Sequence, residues 1–213
     1  EVTGLLLERG IDAAWLCGYP YLQHADTLDL VAVPVWRGET KYQSYLIVAA
    51  EDEATGLDDL RGGTHAFSDP DSNSGYLVTA TDLRRMNEQV ENFFRKSIFT
   101  FGHRNVVRAV ADGLVRSGSV DGYVWEALAS IEPDLTARTR VIARSEWLGF
   151  PPVCARQDSI ASEPVQALQT ALLSLETTDE GQQALASLQL DGFQLTAPGL
   201  FDGIADRMRD LEA

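Results

Sequence analysis

The sequence predicts an α/β fold in which helices alternate with the strands of a largely parallel sheet. Short apolar, β-rich runs alternate with segments of helical spacing through the first two thirds of the chain, and this alternation is typical of parallel sheets. The last third has helical spacing throughout. The chain of 213 residues is 45% hydrophobic and 23% charged, a composition typical of a globular protein that buries a core without disulfides.

The predicted strands are short runs bounded by turn residues. They cover residues 11–17, 28–36, 42–50, 64–68, 99–101, 120–125, 140–144 and 152–156. The predicted helices carry apolar residues on one face or begin at a capping residue. They cover residues 3–9, 76–87, 105–115, a segment after the N-cap Ser162, a segment opened by Thr178, and residues 198–211. We expect this helical tail to pack back on the beginning of the chain.

The net charge of the chain limits the classes of partner that it can bind. Seventeen basic and 32 acidic residues give a net charge of −15 and a pI near 4.5, which argues against nucleic acid and anionic lipid as partners. Cys17 and Cys154 form neither a disulfide framework nor a metal motif. We therefore expect no cofactor and no metal. The sequence contains no membrane-spanning run and no secretion signal.

The loop at residues 68–75 is the most informative candidate site. Ser72, Asn73 and Ser74 precede Gly75 between a predicted strand and a predicted helix. Small polar side chains, a glycine that allows close backbone approach, and the unpaired amides of a helix start are suited to a tetrahedral oxyanion. The same residue types also cap helices and form ordinary turns, so composition alone leaves both interpretations open.

Four other groups of residues are weaker candidates. Cys17 ends a predicted strand and Tyr19 follows it, at the position where ligands bind in open α/β sheets, although a Gly-Pro turn explains them equally well. Tyr42 and Ser44 lie on one face of the predicted strand at 42–50, because successive side chains of a strand point to opposite faces. His103 precedes a helix and could supply a proton or a positive charge, or serve as a cap. Asp121 ends an apolar run and could accept from a ligand, or cap a turn.

Three longer segments indicate a family. They read R-G-I-D-A-A-W-L-C-G-Y-P-Y at 9–21, L-D-D-L-R-G-G-T-H-A-F-S-D-P-D-S-N-S-G-Y-L at 57–77 and E-G-Q-Q-A-L-A-S-L-Q-L-D-G-F at 180–193. With G-H at 102–103 and V-D-G-Y-V-x-E after them, the order of these motifs resembles the phosphate/phosphite/phosphonate solute-binding proteins of ABC transporters.

The resemblance implies a type II periplasmic binding protein fold, with two three-layer αβα lobes joined by a two-strand hinge. Lobe one would comprise residues 1–47 and 156–213, and lobe two residues 48–155. The family usually carries one more strand and helix before the segment that begins here at Glu1, so the resemblance also implies that these elements are missing from this chain.

The resemblance assigns roles residue by residue. Ser72, Asn73 and Ser74 match the Ser-Thr-Ser that holds phosphonate oxygens, next to Gly75. The other matches are to cleft positions of the family, namely Tyr19, Tyr42, the nearby Ser44, His103 and Asp121. The chain departs from the family at Asn73, where threonine is usual, at Gly102, where serine is common, and at Arg104, where aspartate is usual. The oxyanion cradle is therefore kept while its rim differs, and aminoalkylphosphonate is not carried over as the ligand.

The predicted function is capture of a small oxyanion (phosphonate, phosphite or phosphate) between the lobes for uptake by an ABC permease and its ATPase. We expect a monomeric, periplasmic or extracytoplasmic protein that is not an enzyme, with or without a lipid anchor. The alternative is a sensor that binds arsenite or another oxyanion and signals to a histidine kinase, with Cys17 as a thiol ligand. An enzyme is a third class, for which the sequence shows no nucleophile–base pair.

Overall fold

The computed structural model describes residues 2–212, which form two compact units. Unit 1 comprises residues 2–41 and 148–205, and unit 2 comprises residues 42–147 and 206–212. The chain therefore passes from one unit to the other three times. The lobe boundaries predicted near residues 47 and 156 stay a prediction. No helix in the described part of the chain combines the length and the apolar character needed to cross a membrane.

Unit 1 is built on a four-stranded sheet with the order β1-β10-β2-β11, in which each neighbouring pair is antiparallel. Val31, Val153 and Ala155 of this sheet pack with Val165 of α8 in one apolar cluster. The helical tail thus packs on early strands, as the sequence predicts. The elements of this unit are α1 (Val2–Leu7), β1 (Ala13–Trp15), α2 (Gly18–Gln23), β2 (Leu28–Val35), β10 (Val153–Arg156), α8 (Glu163–Ser174), α9 (Asp179–Leu188) and β11 (Gly192–Gln194).

Unit 2 is built on a five-stranded mixed sheet with the order β6-β5-β7-β4-β8. Its strands are β4 (Ser44–Ala49), β5 (Thr64–Phe67), β6 (Lys96–Phe99), β7 (Ser117–Asp121) and β8 (Thr139–Arg144). Its helices are a π-helical turn (Asn73–Leu77), α3 (Val78–Arg85), α4 (Val90–Phe93), α5 (His103–Ala111), α6 (Gly122–Ile131) and α7 (Pro133–Thr136). The short strands β3 (Lys41–Tyr42) and β9 (Leu148–Gly149) lie outside this sheet, and α10 (Asp202–Glu212) is the last helix along the chain.

The sheet of unit 2 is covered on both faces because its strands alternate apolar residues to either side. Tyr45 and Ile47 of β4 join a cluster with residues of α5 and α6. Leu46 and Val48 of the same strand join a second cluster with residues of α3 and α4. Unit 2 is therefore a three-layer αβα body, whose α3 layer bears the candidate loop.

Arg207 of α10 fastens the end of the chain to α3. Its side chain is only 2% exposed, and its guanidinium donates to both carboxylate oxygens of Glu146 at 2.8 and 2.6 Å. It also donates to the carbonyl of Val78, to Thr81 Oγ1 and to Asp82 Oδ1 at 3.0, 2.6 and 2.8 Å. A buried guanidinium needs such a complete set of acceptors, so Arg207 holds α3 in one position.

The structure corrects two predictions about the sheets. The largely parallel sheet is wrong, because each neighbouring pair of the four-stranded sheet is antiparallel, and the five-stranded sheet has two antiparallel pairs beside the parallel β5–β6 and β5–β7 pairs. Strands of distant sequence position, such as β2 and β10, become neighbours, and local periodicity carries no information about such pairing. The predicted strand at 120–125 is also wrong beyond Asp121. This residue caps α6, since its Oδ1 accepts from the amide of Val124 at 3.2 Å.

Two strand and helix limits also differ near the candidate site. The predicted strand at 99–101 is β6 at Lys96–Phe99, and residue 101 lies in the turn that follows. The helix predicted from residue 76 begins at Asn73 instead, because the Ser72 side chain caps it. The second difference brings the helix start closer to the end of β5.

Candidate oxyanion site

The candidate residues of unit 2 meet because of the direction of its strands. β5 is parallel to both β6 and β7, so the carboxyl ends of these three strands lie at one edge of the sheet. Each of them leads into a helix, which begins at Asn73, His103 and Gly122 respectively. β4 runs antiparallel to β7 with Ser44 opposite Asp121, so it begins at the same edge. Three positive helix ends therefore meet there.

The loop at residues 68–75 forms a capped helix start. Ser72 has an extended backbone conformation, and its Oγ accepts from the amide of Gly75 at 2.9 Å. The Leu77 amide donates to the Ser72 carbonyl at 3.0 Å, which is the wide spacing of a π-helical turn. Such turns are frequent at functional sites. The amides of Asn73 and Ser74 occupy the first positions of this helix, which have no acceptor within the helix itself.

Gly75 is required by the packing of this loop. A Cβ atom at this position would lie 2.7 Å from Ser68 Cβ and 2.9 Å from Ser72 Oγ, and it would overlap Ser68 Oγ. The absence of a side chain lets two serine hydroxyls approach the backbone from one side.

Tyr42 and Ser44 support the loop from the strand side. Asn73 Nδ2 donates to Tyr42 Oη at 2.9 Å, and Ser44 Oγ donates to the Ser74 carbonyl at 2.6 Å. All four of these residues are buried. The structure thus joins four predicted site residues through two hydrogen bonds, which hold the helix start against the beginning of β4.

Two buried hydroxyls of this segment have no hydrogen-bond partner within the described residues, namely Ser68 Oγ and Ser74 Oγ. Ser74 is 0% and Ser68 2% exposed. A buried hydroxyl without a partner costs about 1–3 kcal/mol, so such groups call for a reason. A ligand oxygen at the helix start would satisfy the Ser74 hydroxyl.

His103 and Asp121 form the other side of the edge. His103 Nδ1 accepts from the Asp121 amide at 3.1 Å, so the neutral imidazole carries its proton on Nε2 and can donate from there. Burial lowers the pKa of His103 to about 4, so the ring is neutral near pH 7. Burial raises the pKa of Asp121 to about 7, although the amides of Val124 and Tyr123 donate to its carboxylate and oppose this rise. Near neutral pH this carboxyl can therefore donate as well as accept.

Cys17 and Tyr19 lie in unit 1. Cys17 is a partly buried residue at the N-cap of α2 that forms no disulfide, and its side chain makes no capping hydrogen bond. Tyr19 follows in the first turn of this helix. The part of these two residues in ligand binding stays a prediction, because the hydrogen-bonded site at residues 72–75 is built from residues of unit 2.

Sequence reasoning missed a buried hydrogen-bond chain beneath the site. His65 Nδ1 and Nε2 lie 2.8 and 2.9 Å from Ser117 Oγ and Ser119 Oγ, and Ser119 Oγ lies 2.6 Å from Thr79 Oγ1. The His65 ring stacks on Phe94 at 4.4 Å, and its burial lowers its pKa to about 3. The signal was available: serines two apart in a strand share one face, and here they oppose a strand histidine.

The donors at this edge are uncharged. They are hydroxyls, amides and a neutral imidazole, and none of the predicted site residues is an arginine or lysine. Within residues 2–212 no cluster of three or more His, Cys, Asp and Glu side chains could hold a metal ion. The arrangement is therefore suited to binding an anion through hydrogen bonds at helix N-termini.

Comparisons with known proteins agree with this chemistry. A family described as "ABC transporter, phosphonate, periplasmic substrate-binding protein" matches residues 1–198. The chain belongs to this family. Its members are transport proteins rather than enzymes, which agrees with the predicted class. A search of curated proteins found no match.

Solved structures with a similar fold identify the fold of this chain. The binding-protein component of an ABC phosphonate transporter from Pseudomonas aeruginosa has a TM-score of 0.89 at 21% identity, covering 99% of this chain and 72% of that one. PhnD1 from Prochlorococcus marinus, solved in complex with methylphosphonate, has a TM-score of 0.83 at 18% identity, covering 99% and 82%. These similarities confirm the predicted type II periplasmic binding protein fold.

Proposed function

We propose that this chain captures a small tetrahedral oxyanion of the phosphonate, phosphite or phosphate type outside the cytoplasm and delivers it to an ABC permease and its ATPase. One observation carries the proposal: the buried helix start at residues 72–75, where an unpartnered Ser74 hydroxyl lies beside the first amides of the helix. Family membership supports delivery to a transporter. PhnD1 from Prochlorococcus marinus, of the same fold, was solved with methylphosphonate.

The energetics are sufficient for useful affinity. Hydrogen bonds to a charged group contribute about 1.5–3 kcal/mol each. Four or five such bonds, after the costs of association and ordering, correspond to about −8 kcal/mol, or a micromolar dissociation constant. The edge of unit 2 provides four such donors, namely the Ser72 and Ser74 side chains, the Ser74 amide and His103 Nε2–H.

The test is calorimetry of the purified chain with phosphate, phosphite, methylphosphonate and sulfate. We expect at least one of the phosphorus oxyanions to bind, and the double variant Ser72→Ala/Ser74→Ala to bind about tenfold more weakly or worse. Ser187→Ala, an exposed serine of α9, is the matched control and should bind like the parent chain. Lack of binding by all four anions would exclude the proposal, and unchanged affinity in the double variant would remove the loop from the site.

A sensor that binds arsenite is the second candidate, and the observation that favours it is a cysteine outside any disulfide, Cys17, at the start of α2. The other cysteine, Cys154, is buried, and burial raises the pKa of its thiol and disfavours the thiolate that would bind arsenite. Titration with arsenite decides between the two. Binding that is lost in Cys17→Ser would support the sensor, and absence of arsenite binding would end it.

A further inference from the structure

Phe101 lies in a turn at the edge of the site, and packing within unit 2 does not explain why a phenylalanine occupies this position. It lies in the turn between β6 and α5, is 69% exposed, and makes no ring contact with another aromatic residue of the described chain. Its backbone is left-handed with φ +52°. Bulky residues rarely adopt this conformation because the side chain crowds the backbone. Exposed apolar residues such as Leu114 are ordinary, but Leu114 is not among the residues with positive φ.

Hydrogen bonds on both sides of Phe101 impose this conformation. The Thr100 amide donates to the Phe67 carbonyl at 2.9 Å, and Thr100 Oγ1 reaches the Gly102 carbonyl at 3.1 Å. Asn105 Nδ2 donates to the Thr100 carbonyl at 2.9 Å, and its amide donates to the Gly102 carbonyl at 3.1 Å. A strained backbone conformation persists where neighbouring interactions hold it in place, and such conformations are frequent at ligand-binding sites.

The turn that carries Phe101 lies above the end of β5. β6 and β7 flank β5 on opposite sides in the sheet. His103, at the start of the helix after β6, nevertheless reaches the Asp121 amide at the end of β7. The turn therefore crosses the end of β5, which is where the oxyanion loop begins at Ser68.

We propose that Phe101 is a specificity-determining residue that packs against an apolar substituent on the phosphorus of the bound anion. This inference rests on the proposed function, since the substituent is defined by an oxyanion head group held at residues 72–75. The head group is bound by hydrogen-bond donors, which are the same for every ligand of the series. The aromatic ring at the rim adds affinity only when the phosphorus carries carbon, so it favours alkylphosphonates over inorganic oxyanions.

The experiment compares phosphite with methyl-, ethyl- and propylphosphonate by calorimetry. The proteins are the parent chain, Phe101→Ala, Phe101→Gly and the control Leu114→Ala, which removes an exposed apolar side chain outside this turn. Each carbon buried against the ring should strengthen binding by about threefold to fourfold in the parent chain. Both Phe101 variants should lose this gain while binding phosphite unchanged. Phe101→Gly should also keep or raise the melting temperature, because glycine adopts φ +52° without strain.

The outcomes separate this inference from the proposed function. If the anions bind and the ratio of propylphosphonate to phosphite affinity is the same in all four proteins, Phe101 has no part in specificity, while the proposed function stands. If both Phe101 variants lower the melting temperature and weaken every anion equally, Phe101 is structural and the inference fails. If no anion binds the parent chain, the proposed function and the inference fail together.

Discussion

Two connections from a strand to a helix, one in each unit, contain a glycine that serves a different purpose in each. In unit 1, β1 leads through Cys17 into a helix that begins at Gly18, and in unit 2, β5 leads through Ser72 into a helix that contains Gly75. A Cβ on Gly18 would lie 2.5 Å from Ile204 Cδ1, so this glycine makes room for apolar packing. Gly75 makes room for serine hydroxyls. The strand–turn–helix pattern is shared, and the neighbours of the glycine decide what the turn does.

Substitution of these two glycines by alanine should affect stability and oxyanion binding to different extents. Gly75→Ala should lower the free energy of unfolding by about 3 kcal/mol, because the new Cβ meets the Cβ of Ser68 and the loop backbone must shift. It should also weaken oxyanion binding by about a hundredfold. Gly18→Ala should cost about 1 kcal/mol, because the tip of the Ile204 side chain can rotate away. Urea unfolding and calorimetry measure both quantities. Equal stability losses in the two variants would contradict the expectation that the surroundings of Gly75 yield less easily than those of Gly18.

Asp121 provides a pH test of the same edge. Its folded pKa of about 7 lies above the unfolded value of 3.8, so its ionisation opposes folding. The penalty is absent below pH 4, develops as pH rises, and is complete above pH 7. Asp121→Asn retains an acceptor for the cap and removes the charge. It should therefore raise the free energy of unfolding at pH 8 by at most about 4 kcal/mol and leave it unchanged at pH 4.

Binding should depend on the same titration. In the parent chain, methylphosphonate affinity should increase between pH 8 and pH 6 more than in Asp121→Asn, because protonation of Asp121 removes a negative charge beside the anion. The variant controls for the titration of the ligand itself. Parallel pH profiles in the two proteins would place Asp121 outside the reach of the ligand.

A smaller effect separates unpartnered from paired serines within unit 2. Ser68→Ala removes a buried hydroxyl that has no partner in the described chain, and should raise the free energy of unfolding of the ligand-free protein by about 1 kcal/mol. Ser119→Ala leaves His65 and Thr79 without a shared partner, and should lower it by about 1–2 kcal/mol. Chemical unfolding of both variants without ligand is the measurement. Destabilisation of similar size in the two would mean that Ser68 is paired.

The smallest expected effect concerns salt. The net charge of −15 is spread over the chain, whereas the predicted donors are local and uncharged. Affinity for methylphosphonate should therefore change by no more than about twofold between about 0.05 and 0.5 M sodium chloride, because screened surface charges add little at a site of buried dipoles. A change of about tenfold would show that surface charge governs binding.

The sequence by itself determined the α/β class, the family and the loop of small polar residues before a helix. These features depend on local spacing and on residue identity, which a chain carries whether or not it is folded. The N-cap role of Thr178 is an example, since its hydroxyl accepts from the Gly181 amide as capping chemistry requires. The start of the helix at Asn73 was missed by three residues, because a serine cap and a π-helical turn are not visible in apolar periodicity.

Only the tertiary structure decided which residues meet. The pairing of antiparallel with parallel strands, the contact of Tyr42 with Asn73, and the reach of His103 past β5 to Asp121 all join residues far apart in sequence. The pKa values of His103 and Asp121 follow from burial, which is a property of the packed unit. Local propensity sets where a strand ends, but the direction of its neighbours in the sheet sets which helix starts share an edge and can hold one anion.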